Sequence, residues 1–223
     1  VNVLNFVNAF FSDSAHWQGY DGIPTRLAEH VQYTLEALAI AAAIGLPVGL
    51  VTGHYGRGGN ALAFIAVAGR ALPTFGLLVL MTLSLGFGLI NVMIPLVVLA
   101  VPPILVTTYE AMRSVDPAPV DAARGMGMHE VEVLFRVELP VALPLILGGL
   151  RSAAIQIVST ATIAAYVSLG GLGRYIVDGL YQRNYEKVVG GATLVAALAL
   201  VTLALFWGIT RLTVSRGVLR SNQ

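Results

Sequence analysis

Residues Ala71–Tyr109 read ALPTFGLLVLMTLSLGFGLINVMIPLVVLAVPPILVTTY, a run without a single Asp, Glu, Lys or Arg. A helix that crosses a bilayer needs about 20 consecutive, mostly apolar residues, so this run alone is long enough for most of two spans. Three more uncharged runs follow the same rule: Ala37–Gly56, Ser152–Gly173 and Val188–Thr210. The sequence therefore predicts an all-α, polytopic membrane protein with about five transmembrane helices.

Composition points the same way. Of 223 residues, 57% are hydrophobic and only 11% are charged, against about 25% charged in an ordinary soluble domain. This excludes a soluble enzyme. A formal net charge of +1 supplies no basic field for a row of phosphates, so nucleic acid is not an expected partner. The absence of cysteine removes disulfides, thiolate nucleophiles and cysteine-ligated metals, and the four histidines show no metal-ligand spacing. The opening residues lack the basic region and cleavage site of a signal peptide, so targeting is expected to rest with the spans.

Outward from the long run, the spans are expected near Val31–Thr52, Ala61–Leu85, Ile90–Met112, Val141–Leu169 and Val188–Leu212. Arg70 and Pro73 interrupt the second, and Pro95, Pro102 and Pro103 should kink the third. Val1–Phe11 is too short to cross and reads as an interfacial helix. The organisation is then an external or interfacial segment at 1–30, one transmembrane domain at 31–212, and a C-terminal tail at 213–223. Lys and Arg fix the orientation. One side collects Arg57, Arg113, Arg124, Arg136, Arg211, Arg216 and Arg220, the other Arg26, Arg174, Arg183 and Lys187. The richer side is cytoplasmic, which puts the N-terminus outside and the C-terminus inside.

Between the third and fourth spans, residues 113–140 change character, with Arg113, Asp116, Asp121, Arg124, Glu130, Glu132, Arg136 and Glu138 close together. Asp116 can cap a helix that has Pro117 in its first turn, and Gly125 and Gly127 end it. A second short helix from His129 to Pro140 carries Val131, Leu134 and Phe135 on one face. Such a pair, too small for a core of its own, suits a groove on another protein or forms a solvated loop.

The residues Asp121-Ala122-Ala123, then Gly127, then Val137 and Leu139-Pro140 resemble the coupling loop of ABC importer permeases, whose pattern is Glu-Ala-Ala, a glycine four residues later, and Ile-x-Leu-Pro. Here Asp121 stands for the family's Glu, which keeps the charge on a shorter arm. The resemblance implies a non-enzymatic transport subunit whose loop docks into a separate ATPase. It implies further partners: a solute-binding protein, a second permease subunit (an identical or sister chain) and membrane lipid. ATP and Mg would be held by the ATPase, with no cofactor here. No Gly-x-x-x-x-Gly-Lys-Ser/Thr loop occurs, and Lys187 is the only lysine. In this setting Ala122 and Ala123 permit close contact and Gly127 a sharp turn.

Over about Arg26–Val195 the chain also resembles the branch of these permeases for glycine betaine, choline or carnitine, through Arg70-Ala71-Leu72-Pro73-Thr74, Gly148-Gly149-Leu150-Arg151 and Gly170-Gly171-Leu172-Gly173. The family resemblance places Gly171 and Gly173 near an external gate, with localisation in the bacterial plasma (inner) membrane. A methionine or other amino-acid permease shares the loop and stays open. A secondary transporter is the remoter alternative, since no internal repeat is evident.

Candidate path or gate residues are Arg70, Thr74, Gln156, Ser159, Thr160, Tyr166, Gly171 and Gly173. Ser152, Gln156, Ser159 and Thr160 share about 100° of arc on the fourth span. They either line a path or bond neighbouring helices. Arg70, deep in the second span, either gates the path or pairs with a structural partner such as Glu36 or Glu110.

Overall fold

The computed structural model of the chain describes residues 3–167 and 169–213, and the side chain of Arg70 lies outside that description, as do Arg216 and Arg220. Helix α1 covers Val3–Ser12, α2 Ile23–His54, α3 Gly59–Ala71, α4 Thr74–Leu85 and α5 Leu89–Arg113. Then follow α6 (Pro117–Gly125), α7 (Glu130–Val133), α8 (Leu139–Thr160), α9 (Gly173–Tyr181) and α10 (Tyr185–Thr213). Among the described residues four helices are long and apolar enough to cross a membrane, and the bent pair α3–α4 makes a fifth crossing if it counts as one.

Three of the expected boundaries are corrected. Helix α2 starts at Ile23 rather than Val31, because Pro24 fits its first turn and the charges there neutralise one another: Arg26 pairs with Asp21 and, at 2.9 Å, with Glu29. The second span is two helices bent by 83°. Pro73 holds Leu72 extended, at φ −70° and ψ 121°, and so ends α3. The short helix expected to stop at Pro140 does not stop. A π-helical turn over Leu134–Glu138 joins α7 to α8, with the Leu139 N–H bonded to the Leu134 carbonyl, and the chain stays helical from Glu130 to Val167. Pro140 has no N–H for the carbonyl four residues earlier, and the wider turn accommodates it at the start of α8.

The bundle is centred on α5, which packs against α2 and α8. The α2 side of that contact is a column of small residues at every fourth position: Ala37, Ala41, Gly45, Gly49 and Gly53, all buried. Helix packing in lipid has no hydrophobic drive between helices and relies on close backbone approach, which such a column provides. A Cβ at Gly45 would stand 3.0 Å from Ile104 Cγ2, and one at Gly49 2.6 Å from Thr108 Cβ. Helix α1 is fastened by Phe10, wholly buried against Gly190 of α10, with its ring edge-on to Tyr175 at 5.2 Å. Burial pushes the Tyr175 phenol up to about 12, and it stays protonated to donate to the Asp21 carbonyl at 2.6 Å.

Candidate functional site

Three regions hold the sequence-predicted residues. The first is the loop end of the bundle. Asp116 caps α6 by accepting from the Ala118 N–H at 3.0 Å, and Gly127 turns the chain at φ +87°, a left-handed value that a side chain resists. Arg124 folds the two halves together through a bidentate pair with Glu130, both N···O distances being 3.0 Å. The pairing with Arg124 draws the Glu130 carboxyl below its ordinary range.

The predicted docking face is partly redrawn. Asp121, Ala122 and Gly127 are exposed, whereas Ala123 is buried beneath them against Val120 and Val133. Val131 and Phe135 point outward at 66% and 54% exposure. Leu134 and Leu139 turn inward instead, onto a cluster of Ala111, Met112, Ala142 and Ile146, and Pro140 is exposed. Leu134 lies at the edge of the apolar arc, where membrane helices cover it. Exposed Met126 extends the outward face, a residue the sequence reading passed over.

His54, left without a role by the sequence, ties this end together. Its Nδ1 lies 2.5 Å from Glu138 Oε2, and its Nε2 lies 3.0 Å from Glu130 Oε2, off the axis of a good hydrogen bond. The last turn of α2 is thereby clamped to α7 and to the π-helical turn.

The second region is a cleft of about 350 Å³ between α3, α5 and α8. Gly69 stands on the α3 wall, Ser152 and Gln156 on the α8 wall, and Glu110 at the α5 end nearest the loop. Gln156 both lines this space and crosses it: its Nε2 donates to the Leu99 carbonyl at 3.4 Å. That carbonyl is four residues before Pro103, which has no N–H to offer it, so the amide fills a gap in the ladder of α5. Ser152 and Ser159 bond carbonyls of their own helix, at 3.0 and 3.1 Å. Thr160 is half-buried at the end of α8. Arg70 follows Gly69, its side chain outside the described residues.

The third region is the opposite end. The Gly170-Gly171-Leu172-Gly173 turn is seated on α2: the Gly171 N–H donates to Glu29 Oε2 at 2.7 Å and the Leu172 N–H to His30 Nδ1 at 3.3 Å. His30, fully buried, donates from Nε2 to the Val158 carbonyl at 2.9 Å, which fixes its proton on that nitrogen. A Cβ on Gly170 would run into the Glu29 carboxylate, and one on Gly173 into the Thr162 carbonyl. The glycines of this turn are legible in the sequence, whereas Glu29 and His30, 142 residues before the amides they accept from, are not. Tyr166 stacks edge-on against Phe75 at 5.3 Å, one residue past Thr74 at the start of α4. Thr74 thus starts the helix whose next residue meets Tyr166, and neither residue lines the cleft of Gln156 and Glu110.

Helices long and apolar enough to cross a membrane, set around a partly polar cleft with an exposed helical element at one end, are an arrangement suited to the membrane component of a transport system. Comparison with known families specifies which. The chain belongs to the family described as binding-protein-dependent transport system inner membrane component, matched over residues 45–218. It is 28% identical to the carnitine transport permease protein OpuCB of Listeria monocytogenes, over 89% of this chain and 88% of that protein. It is 33% identical to the choline transport system permease protein OpuBB of Bacillus subtilis, over 78% of this chain and 80% of that protein. In fold it is similar to the MetNI methionine ABC transporter in an inward-facing conformation, with a TM-score of 0.74, 24% identity, and coverage of 85% of this chain and 95% of that one.

Proposed function

We propose that the chain is the permease subunit of an ATP-driven importer for osmoprotectants carrying a quaternary ammonium group, such as glycine betaine, choline or carnitine. The observation that carries this reading is likeness to the carnitine and choline permeases over most of both chains. The solute arrives on an external binding protein. Two permease subunits face each other, and two ATPase subunits receive the coupling segment 113–140 through Asp121, Ala122, Gly127, Val131 and Phe135. ATP and Mg belong to those subunits. The N-terminus is outside and the C-terminus cytoplasmic, supported by the Lys and Arg excess at the loop end.

Closure of the ATPases pulls the coupling segments together and opens the path outward, and hydrolysis resets it, a two-state motion of rigid helices. Exposed apolar side chains on α3 and α4, among them Phe64, Val67, Leu83 and Leu85, support a second subunit or lipid on that face.

The test is reconstitution with the ATPase and binding protein, with ATP hydrolysis and uptake of labelled glycine betaine measured together. Stimulated hydrolysis with betaine uptake is expected. Stimulation only by another solute, such as methionine, discards the osmoprotectant assignment, and uptake without ATP overturns the whole reading. Asp121→Arg or Gly127→Trp should assemble poorly with the ATPase, and normal uptake by either refutes the coupling role.

A further inference from the structure

The cleft between α3, α5 and α8 has one charged wall residue among those described, and that residue is a carboxylate. On α5 the lining positions Leu99, Pro103, Val106 and Glu110 fall on one face of the helix. They run about 16 Å along it, from mid-span to one turn before its end at Arg113. Most of this stripe is apolar. Of the polar groups that face it, Thr107 adds a hydroxyl on α5, the Ser152 hydroxyl is committed to Gly148 and the Gln156 amide nitrogen to Leu99. The Glu110 carboxylate has no hydrogen bond or ion pair among the described residues, and Arg151, next to Ser152, does not line the cleft.

A trimethylammonium group donates no hydrogen bond. The two interactions it can make are apolar contact with its methyl groups and attraction to a negative charge, and this partly polar cleft provides both. A solute anion would meet the same carboxylate with repulsion. We propose that Glu110 is a specificity-determining residue of this subunit, holding the cationic headgroup of the solute against the apolar α5 stripe as it leaves toward the loop end. This deepens the proposed osmoprotectant import and rests on it for the identity of the solute, while the charge selectivity of the cleft stands separately.

The absence of native cysteine allows a direct test. Ser152→Cys, a near-isosteric change, puts one thiol of this subunit on the cleft wall. In the assembled transporter it is treated with a methanethiosulfonate carrying a trimethylammonium group or with one carrying a sulfonate, and labelling of this subunit is read by mass. After correction for the reagents' rates with free thiol, the cationic reagent should react about tenfold faster, the low end of what one nearby carboxylate does to reagents of opposite charge. The preference should vanish in Ser152→Cys/Glu110→Gln. A preference that survives the second substitution, or one absent from the single variant because Arg70 neutralises the carboxylate, overturns the proposal.

The transport arm compares choline, a cation, with glycine betaine, a zwitterion. Glu110→Gln should lower the choline-to-betaine uptake ratio about tenfold, and an unchanged ratio refutes selection by Glu110. If the unsubstituted transporter moves neither solute, the osmoprotectant reading fails, and the labelling result still decides whether Glu110 sets the charge preference of the cleft.

Discussion

Gly49 offers the sharpest test of how the bundle is held. A methyl group there would stand 2.6 Å from Thr108 Cβ and 2.9 Å from the Leu105 carbonyl oxygen, whereas carbon atoms pack at about 3.5–4.0 Å. Gly49→Ala therefore forces α2 and α5 about 1 Å apart, along a column that includes Ala41, Gly45 and Gly53. Overpacking of this kind costs about 1–3 kcal/mol. Alanine recovers about 0.5–1 kcal/mol over glycine within a helix, which leaves a net loss of about 1 kcal/mol at mid-range and about 2.5 kcal/mol at most.

A methyl group added at Gly208, in α10, would meet no atom within 4 Å, so Gly208→Ala keeps the propensity gain and incurs no clash. At about 2–4 °C per kcal/mol for a chain of this size, Gly49→Ala should lower the midpoint of thermal unfolding by about 2–4 °C at mid-range and by about 10 °C at most. Gly208→Ala should raise it by about 1–4 °C. The assay is thermal unfolding of the purified subunit in detergent, followed by helical circular dichroism. Equal shifts of the same sign in the two variants would refute the claim that close approach at the α2–α5 contact stabilises the fold.

Two further outcomes follow from particular bonds. Gln156→Leu should cost about 1 kcal/mol by orphaning the Leu99 carbonyl, and Pro103→Ala, which restores an N–H to that carbonyl, should remove most of the loss; additive effects in the double-mutant cycle would show that Gln156 does not fill the gap. Because Arg124 lowers the Glu130 pKa, this pair stabilises the loop end above the unfolded carboxyl value of about 4.3 and loses that effect as pH falls through the lower folded value. Amide protection across 121–133, after correction for the intrinsic slowing of exchange in acid, should fall in that window, and Arg124→Gln should abolish that fall; an identical acid response in the variant counts against the pair.

The apolar runs made the spans legible, because a bilayer imposes a length and a composition that no neighbouring residue can disguise. Asp116-Pro117 and Gly127 were legible for a local reason: a cap and a left-handed turn depend on the residue itself and its immediate neighbours. What was hidden depends on distant partners. Arg26, Glu29 and His30 look like a loop when read singly, and only their pairing with Asp21 and with the Gly170–Gly173 turn lets α2 begin at Ile23. His54 and Glu138 are 84 residues apart. The Ala37-to-Gly53 column was visible in principle at four-residue spacing, but small apolar residues are common throughout this chain and the spacing alone does not announce a contact. The inward turn of Leu134 and Ala123 needed the position of the neighbouring helices.

The unbroken helix from Glu130 through the π-helical turn to Thr160 has a mechanical consequence. Phe135, on the exposed loop end, and Gln156, on the cleft wall, sit on one lever about 30 Å apart. No loop intervenes to absorb a displacement. A tilt of about 10° at one end moves the other by about 5 Å, more than the width of a methyl group, so a push on the outer face alters the spacing across the cleft without any side chain relaying it.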